Sequence, residues 1–230
     1  MRYDVPVSGI KAIAFDVGET IINESALWLR WAKFLDVPPA TLLGLMGAAI
    51  AQDIPVREYF NLVRPGFDWV NFQMDWAKED PEGKRSGFDI EDLYPDAIPA
   101  LTELKDEGYR LIISGNQPPA ATPELLTMNL PVDVILNSAD MGYEKPAPEF
   151  FAKVIELAEC APDEILYVGD RLDNDVLPAL KAGLNAALIR RGVWGYLHAE
   201  RPIPAGVLVI DNLTDLPKFL GDKNMSKAEN

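Results

Sequence analysis

In Lys11–Thr20, KAIAFDVGET, an apolar run ends in Asp16 and is followed at once by Gly18 and Thr20. A carboxylate at the tip of a buried strand, beside backbone that can wrap a small ligand, has the chemistry of a nucleophile or a metal ligand. Further polar residues close later apolar runs. Ser114 ends LIIS, Lys145 stands in GYEKPAPEFF before a proline-started helix, and Asp170 and Asp175 lie in YVGDRLDNDV. Each also has an ordinary structural use. Ser114 can bond the chain leaving its strand, Lys145 can be a solvated lysine, and the two acids can cap the helix that follows. Cys160, the sole cysteine, excludes an internal disulfide and reads as a packing residue near a helix end. His198, the sole histidine, reads as a solvated or loop-packing side chain in WGYLHAERPIP.

The elements that must position these residues alternate along the chain. Lys11–Asp16, Tyr109–Ser114, Val132–Asn137, Ile165–Asp170, Asn185–Arg190 and Val207–Asp211 are short runs rich in Ile, Val and Leu, and they read as buried strands. Pro95–Glu107, Pro119–Asn129, Pro148–Cys160 and Asp175–Ala182 carry helical periodicity, with Pro or Asp near several starts. This alternation predicts an α/β fold: a doubly wound, Rossmann-like parallel sheet with right-handed crossovers. Sites in such sheets lie at the carboxyl ends of the strands, where Asp16, Ser114 and Asp170 fall.

One interruption separates Ile21 from Asp92. It reads as four helices, Glu24–Leu35, Pro39–Gln52, Val56–Val63 and Asp68–Lys78, followed by the polar loop KEDPEGKRSG. Beginning a few residues after Asp16, it should fold as a helical cap (21–91) over a core made of 1–20 and 92–221, with a frayed tail at 222–230. Trp28, Trp31, Trp69 and Trp76 lie in this insertion, and Trp69, Phe72 and Trp76 fall at helical spacing. The plain reading is a small helical core; the sharper one is an aromatic roof over a substrate.

Composition narrows the partners. Apolar residues make up 48% and charged residues 25% of 230, as in ordinary soluble domains, and that length allows one good core plus an insertion. A formal net charge of −15 excludes tight binding to nucleic acid or an anionic membrane, both of which need clustered Lys and Arg. It also means that any phosphate site needs a local cation. MRYDVPVSGI has no signal-peptide pattern, and the longest apolar stretch, Leu42–Ala51, is too short to span a bilayer. The expected location is cytoplasmic, as a monomer or homodimer.

Taken together, the polar residues resemble the four ordered motifs of the haloacid dehalogenase-like (HAD) hydrolase superfamily. The first motif, D-x-D-x-T, stands here as DVGET; the second is Ser114; the third is Lys145; the fourth is Gly169–Asp170 with Asp175. The resemblance covers the whole chain, including a cap inserted after the first motif. It implies catalytic roles for Asp16, Ser114 and Lys145, and substrate contacts from Ser114, the Gly115 amide, Asn116 and Lys145. It also implies Mg²⁺ held by Asp16, the Gly18 carbonyl and Asp170, with Asp175 orienting a metal-bound water and Lys145. The physics is coherent, because a carboxylate attacking a phosphoryl group brings like charges together. A divalent cation and an ammonium must offset that repulsion. The implied substrate is a small phosphate ester.

One residue departs from the pattern. Gly18 stands where family phosphatases carry the aspartate that protonates the leaving alcohol and then activates water. Glycine keeps the carbonyl that a metal needs but removes a group typically contributing about 10²–10⁴-fold. Three outcomes follow: a leaving group that needs little help, a substitute such as the cap residue Glu24 or a bound water, or a weak or inert protein that only binds phosphorylated ligands. Glu19 neighbours Gly18 but its side chain should point away from Asp16. Relatives lacking an acid at this position include haloalkanoic acid dehalogenases and a phosphonate-cleaving branch. Asp170 argues against the former, which carry serine and asparagine there. For the latter, the cap offers only Lys33 and Lys78.

Overall fold

The computed structural model describes residues 9–68, 71, 78 and 87–220. Six strands, β1 (Ala12–Phe15), β2 (Arg110–Ile113), β3 (Val134–Ile135), β4 (Ile165–Gly169), β5 (Asn185–Ile189) and β6 (Leu208–Ile210), form one sheet ordered β3-β2-β1-β4-β5-β6. Every pairing is parallel. The chain therefore winds outward from β1 to β2 and β3, then returns beside β1 and winds the other way. Sheets of this kind open a crevice at that reversal, beyond the strand ends. Register fixes what lines it: Phe15 pairs with both Ile113 and Val168, so Asp16, Ser114 and Gly169 follow in one row.

Both faces of the sheet are covered, which is why its strands are apolar throughout rather than alternating. Ile13, Phe15, Leu111, Ile113, Leu166 and Val168 face one layer, built from α4 (Ala97–Asp106) and α10 (Leu216–Leu220). On the opposite face the small side chains of Ala12 and Ala14 leave room for Phe150 and Phe151 of α7 (Pro148–Ala158) and for Tyr167. The three rings meet edge to face, with Phe151 and Tyr167 centroids 5.4 Å apart. Each fully buried ring of this size contributes about 1.5–3 kcal/mol. Two short helices, α5 (Ala121–Thr127) and α6 (Ser138–Met141), fill the connections flanking β3.

Several expected elements change length. The third strand shrinks to Val134–Ile135, and the helix expected over Asp175–Ala182 is replaced by a π-helical turn, Leu172–Val176, followed by α8 (Leu177–Lys181). The turn exists because Asp175 folds back: its N–H and that of Val176 both donate to the Arg171 carbonyl, and its carboxylate accepts the Arg171 N–H at 2.9 Å. His198 lies not in a loop but on α9 (Gly192–Ala199), where it is buried.

Between β1 and α4 the described chain forms α1 (Ser25–Leu35), α2 (Pro39–Ala51) and α3 (Val56–Val63). Proline opens α2 and α7 at the first helical position, where a missing N–H costs nothing. Leu42, Met46, Ile50, Tyr59 and Phe60 form an apolar cluster of their own, with Trp28 and Trp31 against it. Val193, Trp194 and Leu197 of α9 join the same cluster, Trp194 lying 6.3 Å from Trp28, so one helix packs against both layers. The two connections to the helical insertion are tied by backbone bonds, Asn23 N–H to Asp92 O and Tyr94 N–H to Ile21 O. Trp69, Phe72 and Trp76, most of the expected fourth helix and the polar loop, and the tail from 222 lie outside the described residues. No single described helix is long and apolar enough to cross a membrane.

His198 Nδ1 accepts the Leu172 N–H at 2.9 Å, which joins α9 to the turn carrying Asp175. Burial lowers the imidazole pKa to about 4, with nearby Asp173 opposing the shift. The folded form then binds fewer protons than the unfolded chain between about pH 4 and the ordinary value of about 6.5. The stability held by this bond is present above that window and lost as pH falls through it. In denaturant titrations, the advantage of wild type over His198→Gln should shrink by about 1–2 kcal/mol between pH 7 and pH 5. Parallel pH profiles would contradict this.

Candidate active site

Asp16, Lys145, Asp170 and Asp175 converge at the reversal between β1 and β4. Lys145 Nζ lies 2.7 Å from Asp16 Oδ1 and 2.7 Å from Asp175 Oδ1, with its side chain 1% exposed. Its Nζ also lies over two aromatic rings, 5.5 Å from the Tyr167 centroid and 5.8 Å from that of Phe150. Burial opposes the ammonium charge, but the carboxylates of Asp16 and Asp175 outweigh it and hold the pKa well above the ordinary value. Lys145 is thus a fixed cation.

One carboxylate oxygen from each of Asp16, Asp170 and Asp175 falls within a 4.8 Å cluster. Burial, then the charges of Asp175 and Asp16, pushes the Asp170 carboxyl well above the usual range. Asp175 is raised to about 6 by burial, with Lys145 opposing. Among the described residues, no hydrogen bond or ion pair reaches the Asp170 carboxylate, and no N–H donates to the Gly18 carbonyl. Crowded oxygens, three acids against one ammonium and no nitrogen or sulfur donor fit a hard divalent ion such as Mg²⁺.

The other expected residues are placed differently. Ser114 is fully buried; its hydroxyl donates to the Leu136 carbonyl at 2.8 Å, and its own carbonyl accepts from Tyr167. The Gly115 amide, expected to face phosphoryl oxygens, instead donates to Asn137 Oδ1 at 3.0 Å. The exposed Asn116 directs its side chain at Lys145: Oδ1 accepts the Lys145 N–H at 2.7 Å and Nδ2 donates to the Lys145 carbonyl at 2.9 Å. It positions the lysine's backbone. Gly115 matters through its lack of a side chain, since a Cβ there would sit 2.5 Å from Asp16 Oδ1.

Some groups had no signature in the sequence. Buried Asn137 holds Gly115 and donates to Thr122 Oγ1, which bonds Asp140. Among the described residues, the backbone N–H groups of Val17, Gly18 and Asn116 have no acceptor in the protein. Amides carry no residue-type signal, so only the loop path reveals them. Glu19 turns away from Asp16, as expected: Tyr94 Oη donates to its carboxylate, and the Tyr94 ring stacks 4.1 Å from the Arg191 guanidinium.

A family profile described as haloacid dehalogenase-like hydrolase matches residues 10–183. The chain belongs to that family. A glyceraldehyde 3-phosphate phosphatase of Pyrococcus furiosus is 25% identical over 92% of this HAD chain and 92% of its own. A protein of the same name from Methanopyrus kandleri is 33% identical over 44% of this chain, and phosphoglycolate phosphatase 1 of Pseudomonas aeruginosa is 33% identical over 55%. Those two matches span 45% and 47% of the relatives, about half their length. Among solved structures, a HAD phosphatase from Thermococcus onnurineus superposes with a TM-score of 0.58, at 26% identity, over 93% of this chain and 99% of its own.

Two outcomes follow from the geometry. Gly115→Ala should cut turnover at least tenfold by displacing the Asp16 carboxylate, while the folded chain survives in thermal melts. Asp170→Asn removes a buried charge repelled by two neighbours, so in metal-free buffer at pH 8 it should melt above wild type. A lower melting temperature would contradict the repulsion.

Proposed function

We propose that the protein is a Mg²⁺-dependent phosphohydrolase that passes the phosphoryl group of a small organic phosphate through Asp16. The observation that carries this reading is the Lys145 ammonium bound between Asp16 and Asp175, beside an Asp170 carboxylate that has no partner among the described residues. Asp16 Oδ1 is held by Lys145, leaving Oδ2 to attack phosphorus. The new bond joins Oδ2 to phosphorus as the ester oxygen leaves. Water then cleaves the aspartyl phosphate, returning the free carboxylate and inorganic phosphate. The N–H groups of Val17, Gly18 and Asn116, without acceptors among the described residues, suit the phosphoryl oxygens, and Ser114 joins them by turning its hydroxyl from Leu136. Asp16, Asp170 and the Gly18 carbonyl would hold Mg²⁺, with Asp175 fixing Lys145 beside it. When bound, the ion would offset the negative charge that builds as carboxylate and phosphoryl group meet.

Glyceraldehyde 3-phosphate and phosphoglycolate, the compounds in the relatives' names, are the first substrates to test. A substrate anion meets a surface of net charge −15, so recognition must be local to the strand ends. Gly18 supports a second reading, in which phosphorylated ligands bind and raise the melting temperature without turnover.

A phosphate-ester panel with Mg²⁺ separates the two. The expected result is turnover that falls at least about a thousandfold in Asp16→Asn, as for loss of a covalent nucleophile, and vanishes with chelator. Mg²⁺ should also raise the melting temperature of wild type and not of Asp170→Asn. Turnover unchanged by Asp16→Asn overturns the mechanism, and ligand-dependent melting with no turnover favours the binding protein.

A further inference from the structure

Transfer of a phosphoryl group from an alkyl ester expels an alkoxide, and an alkoxide leaves slowly unless a proton reaches it. Most titratable groups at the strand ends have other commitments. Lys145 is clamped between two carboxylates, Asp170 and Asp175 belong to the oxygen cluster, and Glu19 is held by Tyr94. Glu24 is different. It stands just before α1, yet its side chain makes no capping bond. Among the described residues its carboxyl has no hydrogen bond or ion pair, although its backbone N–H meets the Glu19 carboxylate.

That carboxyl is packed against Gly18. A Cβ placed on Gly18 would lie 2.2 Å from Glu24 Oε1 and 2.7 Å from Cδ, far inside van der Waals contact. The space beside position 18, two residues beyond Asp16, is therefore filled by a carboxyl from the cap side of the chain. The loop path brings it there: Ile22 pairs with Gly18 on one side and with Leu93 on the other, turning Glu24 back over the end of β1.

We propose that Glu24 is the general acid and base of this enzyme, and that position 18 is glycine because the Glu24 carboxyl occupies the volume a side chain there would need. The inference rests on the phosphohydrolase reading. In the first half-reaction the Glu24 proton goes to the ester oxygen as its bond to phosphorus breaks, giving the free alcohol and a Glu24 carboxylate. In the second, that carboxylate takes a proton from the attacking water as the Asp16 ester is cleaved, which restores the acid.

Three variants test this with Mg²⁺ present: Glu24→Gln, Gly18→Ala and the double variant, each checked by thermal melting. The expected kcat on an alkyl phosphate that wild type hydrolyses falls about a hundredfold in Glu24→Gln. With 4-nitrophenyl phosphate, whose leaving group needs no proton, Glu24→Gln should release a stoichiometric burst of nitrophenolate. The phosphorylated enzyme then accumulates and is visible by intact mass. Gly18→Ala should show a similar loss through displacement of the Glu24 carboxyl, and the double variant should be no worse than either single change. Glu24→Gln with wild-type turnover of the alkyl ester overturns the inference alone, as does full additivity of the two changes. A wild type with no turnover overturns the phosphohydrolase reading and this inference with it.

Discussion

Like charge confined at the end of a parallel sheet governs this protein. Asp16, Asp170 and Asp175 are all buried at the carboxyl ends of β1 and β4, and one ammonium, that of Lys145, bridges two of them. Taking such groups out of water is expensive unless each is paired. The pairing here is incomplete, because Asp170 has no partner among the described residues. Neighbouring details act on this imbalance: the Arg171 N–H on Asp175, the aromatic faces under Lys145, and the Asn116 clamp on the lysine's backbone. A cluster strained in this way is suited to bind cations and to present a carboxylate to an electrophile. Stability and function pull against each other there.

The layer over the strand ends is coupled to the layer below through α9. Val193, Trp194 and Leu197 pack into the apolar cluster of α1–α3, while His198 on the same helix accepts from the turn that carries Asp175. Arg171, within that turn, lies 5.0 Å over the Trp194 ring. Arg201, just beyond α9, adds bonds to the Ile50 carbonyl and Asp53. The helical insertion and the acidic cluster thus share one support, so the position of the first bears on the geometry of the second.

Much of this was legible in the chain itself. Apolar runs of four to six residues separated by helical periods require a sheet covered on both faces, and the residue after each run is the one placed at a strand end. That reasoning reaches Asp16, Ser114 and Asp170 without a structure. It cannot reach the roles of individual hydrogen bonds. Gly115 and Asn116 stand where the motif places them, yet one gives its amide to Asn137 and the other its side chain to Lys145. The π-helical turn at Leu172–Val176 has no local signature because its cause is the Asp175 carboxylate, drawn toward Lys145 thirty residues earlier in the chain.

The sequence by itself determined the alternation of elements, the strand-end carboxylates and the absence of a side chain at position 18, because these depend on residue type and local period. Only the tertiary structure decided what occupies the room that Gly18 leaves, which amides stay open, and that His198 is buried and neutral. Those outcomes depend on loop path and on packing between segments that no local pattern records. A glycine in the sequence is an absence; folded, it is a space with Glu24 in it.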